Sequence, residues 1–126
     1  MALNVLTKVT TGVDDSSRVT YTLEGNLDNA TAKTLEARLL TTLATKPAFL
    51  IFDLAKLDYV TSAGIRLFFM AQKTQKAHHG QVSFVHLQPQ IEEVFAIMGS
   101  LPDVQIFRSV TELDAYLLAR QKTYKQ

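Results

Sequence analysis

Two adjacent hydroxyl side chains, Thr61 and Ser62, occupy the part of the sequence best suited to chemistry. They follow an apolar segment and directly precede a helical pattern, with Gly64 two residues after Ser62. A serine in this position can act as a nucleophile, accept a phosphate, or cap the helix by accepting a backbone amide hydrogen bond. The residue types alone leave these three roles open.

The residues around Ser62 argue against a serine hydrolase. A nucleophile elbow requires a glycine two residues before the serine, and Val60 stands there. The three histidines, His78, His79 and His86, have no obvious orienting acid, and their spacing does not fit a metal site. The sequence therefore predicts no catalytic residue and no metal.

Acidic residues suggest a second kind of site, a receiver domain phosphorylated on aspartate. Asp14 and Asp15, together with Asp53, superficially resemble its acidic cluster. The adjacent pair, however, falls in a polar segment between two predicted strands, where aspartate favours a turn. We interpret Asp14 and Asp15 as turn residues.

Glycine spacing gives no support for a cofactor. No GxGxxG pattern or Walker loop is present, so we expect no dinucleotide or other cofactor. A small nucleotide-binding protein or enzyme is still an alternative, because backbone amides of residues 61–64 at a helix start could hold a phosphate.

The composition indicates a single globular domain over residues 1–126. Of the 126 residues 47% are hydrophobic, enough for a core, and the absence of cysteine excludes disulfides and thiolate ligands. A net charge of +1 gives no reason to expect nucleic acid or an anionic membrane as partner. No apolar run is long enough to span a bilayer, so a cytoplasmic domain is expected, with a polar tail that frays from about residue 121.

Hydrophobic periodicity predicts the element order ββαβαβαβα. Two alternating segments form an N-terminal hairpin, and helices and strands then alternate, which is typical of an α/β domain with a mixed sheet packed with helices. The apolar segment 48–52 predicts an interior strand covered on both faces. A short last strand is predicted at 104–107.

The helix that begins at Ser62 is apolar on more than one side. Ile65, Phe68 and Phe69 form one stripe, while Leu67 and Met70 lie outside it. Such a helix is either buried on most sides or presents an apolar patch to a partner.

A resemblance to a known family follows from two segments. The run from Leu57 to Arg66 (LDYVTSAGIR) resembles the signature of STAS domains, the anti-sigma-factor antagonist family, and Gly25 to Asp28 resembles that family's GxLD segment. Thr61 and Ala63 depart from the usual Asp-Ser-(Ser/Thr)-Gly form. By resemblance Ser62 is the phosphate acceptor, with Thr61 as the alternative. The implied partner-binding residues are Asp28, Asp58, Thr61, Ser62, Ala63, Gly64, Arg66, Leu67 and Met70.

The resemblance also implies a function. Such proteins are non-enzymatic switches: the unphosphorylated form binds a serine kinase, often the anti-sigma factor itself, and frees its sigma factor, while a serine phosphatase restores the antagonist. We expect a monomer or weak dimer whose acceptor hydroxyl, on Ser62, is accessible to solvent. Some relatives use the fold as a scaffold or binding module without phosphorylation, and that alternative stays open.

Overall fold

The computed structural model describes residues 3–12, 16–99 and 110–124. Four strands and four helices are found there, in the order β1 (Leu3–Thr11), β2 (Ser17–Leu27), α1 (Asn29–Ala44), β3 (Phe49–Val60), α2 (Ser62–Ala77), β4 (Gln81–Val85), α3 (Pro89–Gly99) and α4 (Val110–Tyr124). The strand predicted at 104–107 and the turn at Asp14 and Asp15 lie outside the described residues.

The four strands form one mixed sheet in sequence order, β1-β2-β3-β4. β1 and β2 are antiparallel, which confirms the predicted hairpin, and β2–β3 and β3–β4 are parallel. The parallel pairs are joined by α1 and α2, as expected for crossover connections. The predicted α/β class with a mixed sheet is therefore confirmed.

One face of the sheet carries the core. Alternate side chains of β2 and β3, such as Tyr21 and Phe52, are buried beside Leu35 of α1 and Phe68 of α2. Around Phe52 the rings of Phe68, Phe84 and Phe95 pack with centroids 4.9–5.6 Å apart.

The opposite face of the sheet is only half-covered in the described part of the chain. Thr20 and its neighbour Ile51 point to this side and stay partly exposed. The expectation that the central strand is covered on both faces was therefore wrong. On this face the Arg18 guanidinium lies 4.9 Å above the Phe49 ring and covers part of it.

β3 is much longer than the sequence pattern predicts, since it continues past Phe52 to Val60. Its pairing with β4 ends at Asp53, opposite Val85. Beyond that point three glutamine side chains bond to its free edge. Gln88 Nε2 donates to Ala55 O and Leu57 O at 3.0 and 2.7 Å, Gln90 Nε2 donates to Asp58 O at 3.1 Å, and Gln121 bonds to Val60.

The prediction that the chain frays from about residue 121 is wrong for residues 121–124. α4 continues to Tyr124, and Gln121 is 2% exposed, close to Leu117, which is fully buried. The segment is polar because its glutamine bonds to backbone groups, which a hydropathy pattern does not distinguish from solvation. No helix in residues 3–12, 16–99 or 110–124 combines the length and apolar character needed to cross a membrane.

Candidate functional site

The candidate site lies where β2 and β3 end side by side. Leu27 pairs with Val60 at the ends of the two parallel strands, and the Thr61 N–H donates to Leu27 O at 2.9 Å. α1 then begins after Asp28 and α2 after Thr61. The two segments that resemble the STAS signature are therefore adjacent in space, as the carboxyl ends of parallel strands must be.

Asp28 holds the start of α1. Its Oδ1 accepts the Ala30 N–H at 3.0 Å and the Thr31 N–H at 2.9 Å, and the Asp28 N–H donates to Thr31 Oγ1 at 2.9 Å. These bonds form a capping box. The Thr31 backbone N–H lowers the pKa of Asp28 most, helped by the Thr31 hydroxyl and the Ala30 N–H, against an opposing effect of burial.

Thr61 is the N-cap residue of α2, yet its side chain makes no capping bond. Its hydroxyl instead donates to Asn29 Oδ1 at 3.1 Å, in an exposed hydrogen bond. Asp28 caps α1, which leaves the Asn29 side chain to contact the start of the neighbouring helix.

Ser62 is fully buried, with 0% of its surface exposed. The expectation of a solvent-accessible serine hydroxyl was therefore wrong. Ser62 is the first residue of α2, one position inside the cap, where the backbone turns the side chain toward the protein rather than the solvent. The part-exposed hydroxyl of the pair belongs to Thr61.

Gly64 explains how closely α2 approaches the sheet. A Cβ at this position would lie 2.6 Å from both Leu27 Cγ and Val60 Cγ2. Such a distance is far below van der Waals contact, so only glycine allows the first turn of α2 to rest on the ends of β2 and β3. Gly64 is thus a packing residue, buried and unable to contact a partner directly.

The remaining predicted partner-binding residues divide between surface and core. Arg66 is exposed, Asp58, Ala63 and Met70 are part-exposed, and Leu67 is 7% exposed and belongs to the core. The accessible surface of the start of α2, which we call the α2 surface, consists of Thr61, Ala63, Arg66 and Met70. Asp28 and Asn29 border it at the start of α1.

Tyr59 is a further site residue that the sequence did not single out except as part of the signature run. It is half-buried, and burial raises the pKa of its phenol, with a further increase from the Asp28 carboxylate. The second of these effects, from the Asp28 carboxylate, means that Tyr59 and Asp28 interact electrostatically. No sequence pattern indicates this electrostatic interaction, because it depends on two strands ending at the same edge.

Within residues 3–12, 16–99 and 110–124, no group of three or more His, Cys, Asp or Glu side chains is placed to hold a metal ion.

The model of the STAS domain family matches residues 4–113. The chain belongs to the STAS domain family. The resemblance seen in the sequence is thereby confirmed.

A sequence relative of this STAS domain is BtrV of Bordetella bronchiseptica, which carries the name of an anti-sigma factor antagonist. The two are 34% identical over 79 residues, which cover 63% of this chain and 68% of BtrV. The shared part therefore extends over roughly two-thirds of each protein.

Solved structures share the fold. An anti-sigma factor antagonist from Mycobacterium paratuberculosis superposes with a TM-score of 0.66 and 16% identity, covering 93% of this chain and 95% of that one. Phosphorylated SpoIIAA from Bacillus gives a TM-score of 0.59 and 19% identity, covering 75% and 84% of the two chains. At these identities the likeness concerns the fold alone.

Proposed function

We propose that this STAS domain is an anti-sigma factor antagonist: it binds a partner anti-sigma factor or serine kinase through the α2 surface, and phosphorylation at the start of α2 releases the partner. The observation that carries the proposal is the hydroxyl pair Thr61–Ser62 at the head of α2, next to Asp28 at the common edge of β2 and β3. The similarity to BtrV supports the same partner class. The protein would act in the cytoplasm, where sigma factors act, with a serine phosphatase to reset it.

Within the chain, a phosphate at this place is tolerable. A phosphate adds about −1.5 to −2 charges and three acceptor oxygens. The amino end of α2 carries a partial positive charge that favours an anion by about 0.3–1 kcal/mol. The fold itself should therefore change little if the phosphate projects outward.

For binding to a partner protein, by contrast, the effect of the phosphate on the free energy is unfavourable. A dianion pressed against a partner carboxylate is repelled, and one pressed against an apolar surface loses its hydration. At an effective permittivity near 20, the free-energy cost is about 4 kcal/mol for each pair of unit charges 4 Å apart. Since each 1.4 kcal/mol is a factor of ten in affinity, a loss of about 100-fold or more is expected. Phosphorylation thus weakens docking far more than it affects folding.

Binding to a purified anti-sigma factor kinase from the source organism tests the docking surface. Arg66→Glu reverses the exposed charge on the α2 surface, and we expect it to weaken binding by about 10-fold or more. Lys76→Glu is the matched control: it makes the same charge change at an exposed site of α2 about 15 Å farther along the helix axis and on another side of the helix. Equal effects of the two variants would show that the partner does not dock at the head of α2.

A second candidate, a STAS binding module that is never phosphorylated, is favoured by one observation, the complete burial of Ser62. Both candidates use the α2 surface for a protein partner. They differ in whether the chain gains the mass of one phosphate when incubated with the partner kinase and Mg-ATP. A mass gain excludes the unmodified module, and binding without any mass gain favours it.

A further inference from the structure

The structure distinguishes two hydroxyls that the family signature leaves together. We propose that Thr61, rather than Ser62, is the phosphate acceptor of this chain, an inference that rests on the proposed phosphorylation switch. Ser62 is 0% exposed, whereas Thr61 is part-exposed and its hydroxyl takes part in an exposed hydrogen bond with Asn29.

Space around the head of α2 argues against a phosphate on Ser62. Ser62 has 0% of its surface exposed, so its side chain has no open space beside it for three phosphate oxygens. A phosphate on a fully buried oxygen must bring a dianion into this packed region or force the first turn of α2 to leave the sheet. Burying an ionised group without compensation is among the most costly changes in a protein.

Thr61 has the opposite setting. It is the N-cap residue, with extended backbone angles of φ −97° and ψ 175°, and its side chain makes no capping bond. A phosphate on Oγ1 can therefore take the place of the missing cap next to the first amides of the helix, where negative charge is favoured.

The backbone at Thr61 is held independently of its hydroxyl. The Thr61 N–H donates to Leu27 O at 2.9 Å, and Thr61 O accepts the Ile65 N–H at 3.1 Å. Modification of Oγ1 leaves both bonds in place. It removes only the hydroxyl proton donated to Asn29 Oδ1, after which the Asn29 amide can rotate and donate through Nδ2 to a phosphate oxygen.

The Asp28 carboxylate at the start of α1 already has hydrogen-bond partners of its own. Asp28 Oδ1 accepts the Ala30 and Thr31 amides, which hold the carboxylate at the start of α1.

The chemical step uses a nucleoside triphosphate held by the partner kinase. Thr61 Oγ1 forms a bond to the γ-phosphorus, the bond from that phosphorus to the β–γ bridging oxygen breaks, nucleoside diphosphate leaves, and the hydroxyl proton passes to a base of the kinase.

A partner-free experiment compares full chains that carry phosphoserine at position 61 or at position 62, made by genetic-code expansion. The unphosphorylated controls are Thr61→Ser and the wild-type chain. We expect phosphoserine at 61 to leave Tm within about 2 °C of its control and at 62 to lower Tm by about 10 °C or more. Equal tolerance, or greater loss at 61, overturns the proposal.

Site mapping provides the second test. The chain is incubated with the purified partner kinase and Mg-ATP, and the phosphopeptide is sequenced by fragmentation mass spectrometry. Phosphate on Thr61, retained in Ser62→Ala and lost in Thr61→Val, is the expected result. Phosphate on Ser62 overturns this inference but leaves the switch intact. Partner binding with phosphate on neither residue overturns the inference and the switch together, and absence of partner binding counts against the proposed function itself.

Discussion

The side-chain amide of Gln121 bonds to both backbone groups of Val60: its Oε1 accepts the Val60 N–H and its Nε2 donates to Val60 O, each over 2.8 Å. This arrangement imitates the contact that a neighbouring strand would make. β4 has already ended at that point, so the last residue of β3 is held from α4 instead. The next two residues are Thr61 and Ser62. The bonds from Gln121 therefore fix the strand end from which the candidate site begins.

The two hydrogen bonds between the Gln121 amide and the Val60 backbone should contribute strongly to stability. Gln121→Met keeps the side-chain volume but leaves two buried backbone groups of Val60 without a protein partner, so we expect a loss of about 2–4 kcal/mol in the free energy of unfolding. Urea denaturation measures it. Lys122→Met, the next residue and exposed, is the control and should change stability by less than about 0.5 kcal/mol. Equal values for the two variants would contradict a structural role for the Gln121 amide.

Gly64→Ala should destabilise the protein although alanine is the better helix former. The added methyl lies 2.6 Å from Leu27 Cγ and Val60 Cγ2, and such overpacking costs about 1–3 kcal/mol, more than the gain of about 1 kcal/mol in helix propensity. Thermal or chemical denaturation gives the value. Lys73→Ala, at an exposed position of the same helix, controls for alanine alone. A stabilised Gly64→Ala protein would show that α2 does not lie this close to the strand ends.

Lys46 occupies a left-handed backbone conformation, with φ of 52°, directly after the Thr45 cap of α1. Glycine adopts this conformation without the steric cost of a Cβ, so Lys46→Gly should raise stability by about 0.5–1 kcal/mol. Lys33→Gly, at an exposed position within α1, should lower it by about 1 kcal/mol. The opposite signs, measured by denaturation, are the check; a loss at both positions would argue against the left-handed geometry.

Aspartate substitutions separate the two hydroxyl positions by stability alone. Thr61→Asp replaces one good N-cap residue with another, and we expect a change within about 0.5 kcal/mol. Ser62→Asp places a carboxylate at a fully buried position and should cost about 3–5 kcal/mol. Ser62→Ala serves as the neutral control. If Ser62→Asp is as stable as Thr61→Asp, position 62 is open to solvent and the choice of Thr61 loses its basis.

Acid stability should depend on Asp28. Its pKa is lowered in the folded chain from an ordinary value of 3.8, so the folded state binds this proton more weakly than the unfolded state. The stabilisation is therefore present above that value and is lost as the pH falls through the lower folded pKa. In Asp28→Asn the decline of the unfolding free energy as the pH falls below 3.8 should be shallower, as measured by urea titrations. An unchanged decline would contradict a role for the capping carboxylate.

The alternation of Val19, Tyr21 and Leu23 and the spacing of Leu35, Leu39 and Leu43 were sufficient to predict β2 and α1. These patterns record local geometry, a period of two for a strand and of about 3.6 for a helix, with one buried side. Burial of all six residues in the core follows that rule. Asp28 marks where α1 begins. At α2 the sequence indicated Ser62 as a possible cap, whereas Thr61 is the N-cap residue and Ser62 is the first residue of the helix.

Tertiary structure alone decided the length of β3, the role of Gln121 and the accessibility of the two hydroxyls. β3 continues past Phe52 because Gln88, Gln90 and Gln121, distant in sequence, satisfy its free edge. Thr61 and Ser62 are adjacent hydroxyl residues that the sequence does not distinguish by exposure. In the structure Thr61 is partly exposed to solvent, whereas Ser62, the next residue, is buried. Periodicity reports which side of an element is apolar; which polar group meets another, or meets water, depends on contacts between segments that only the folded chain brings together.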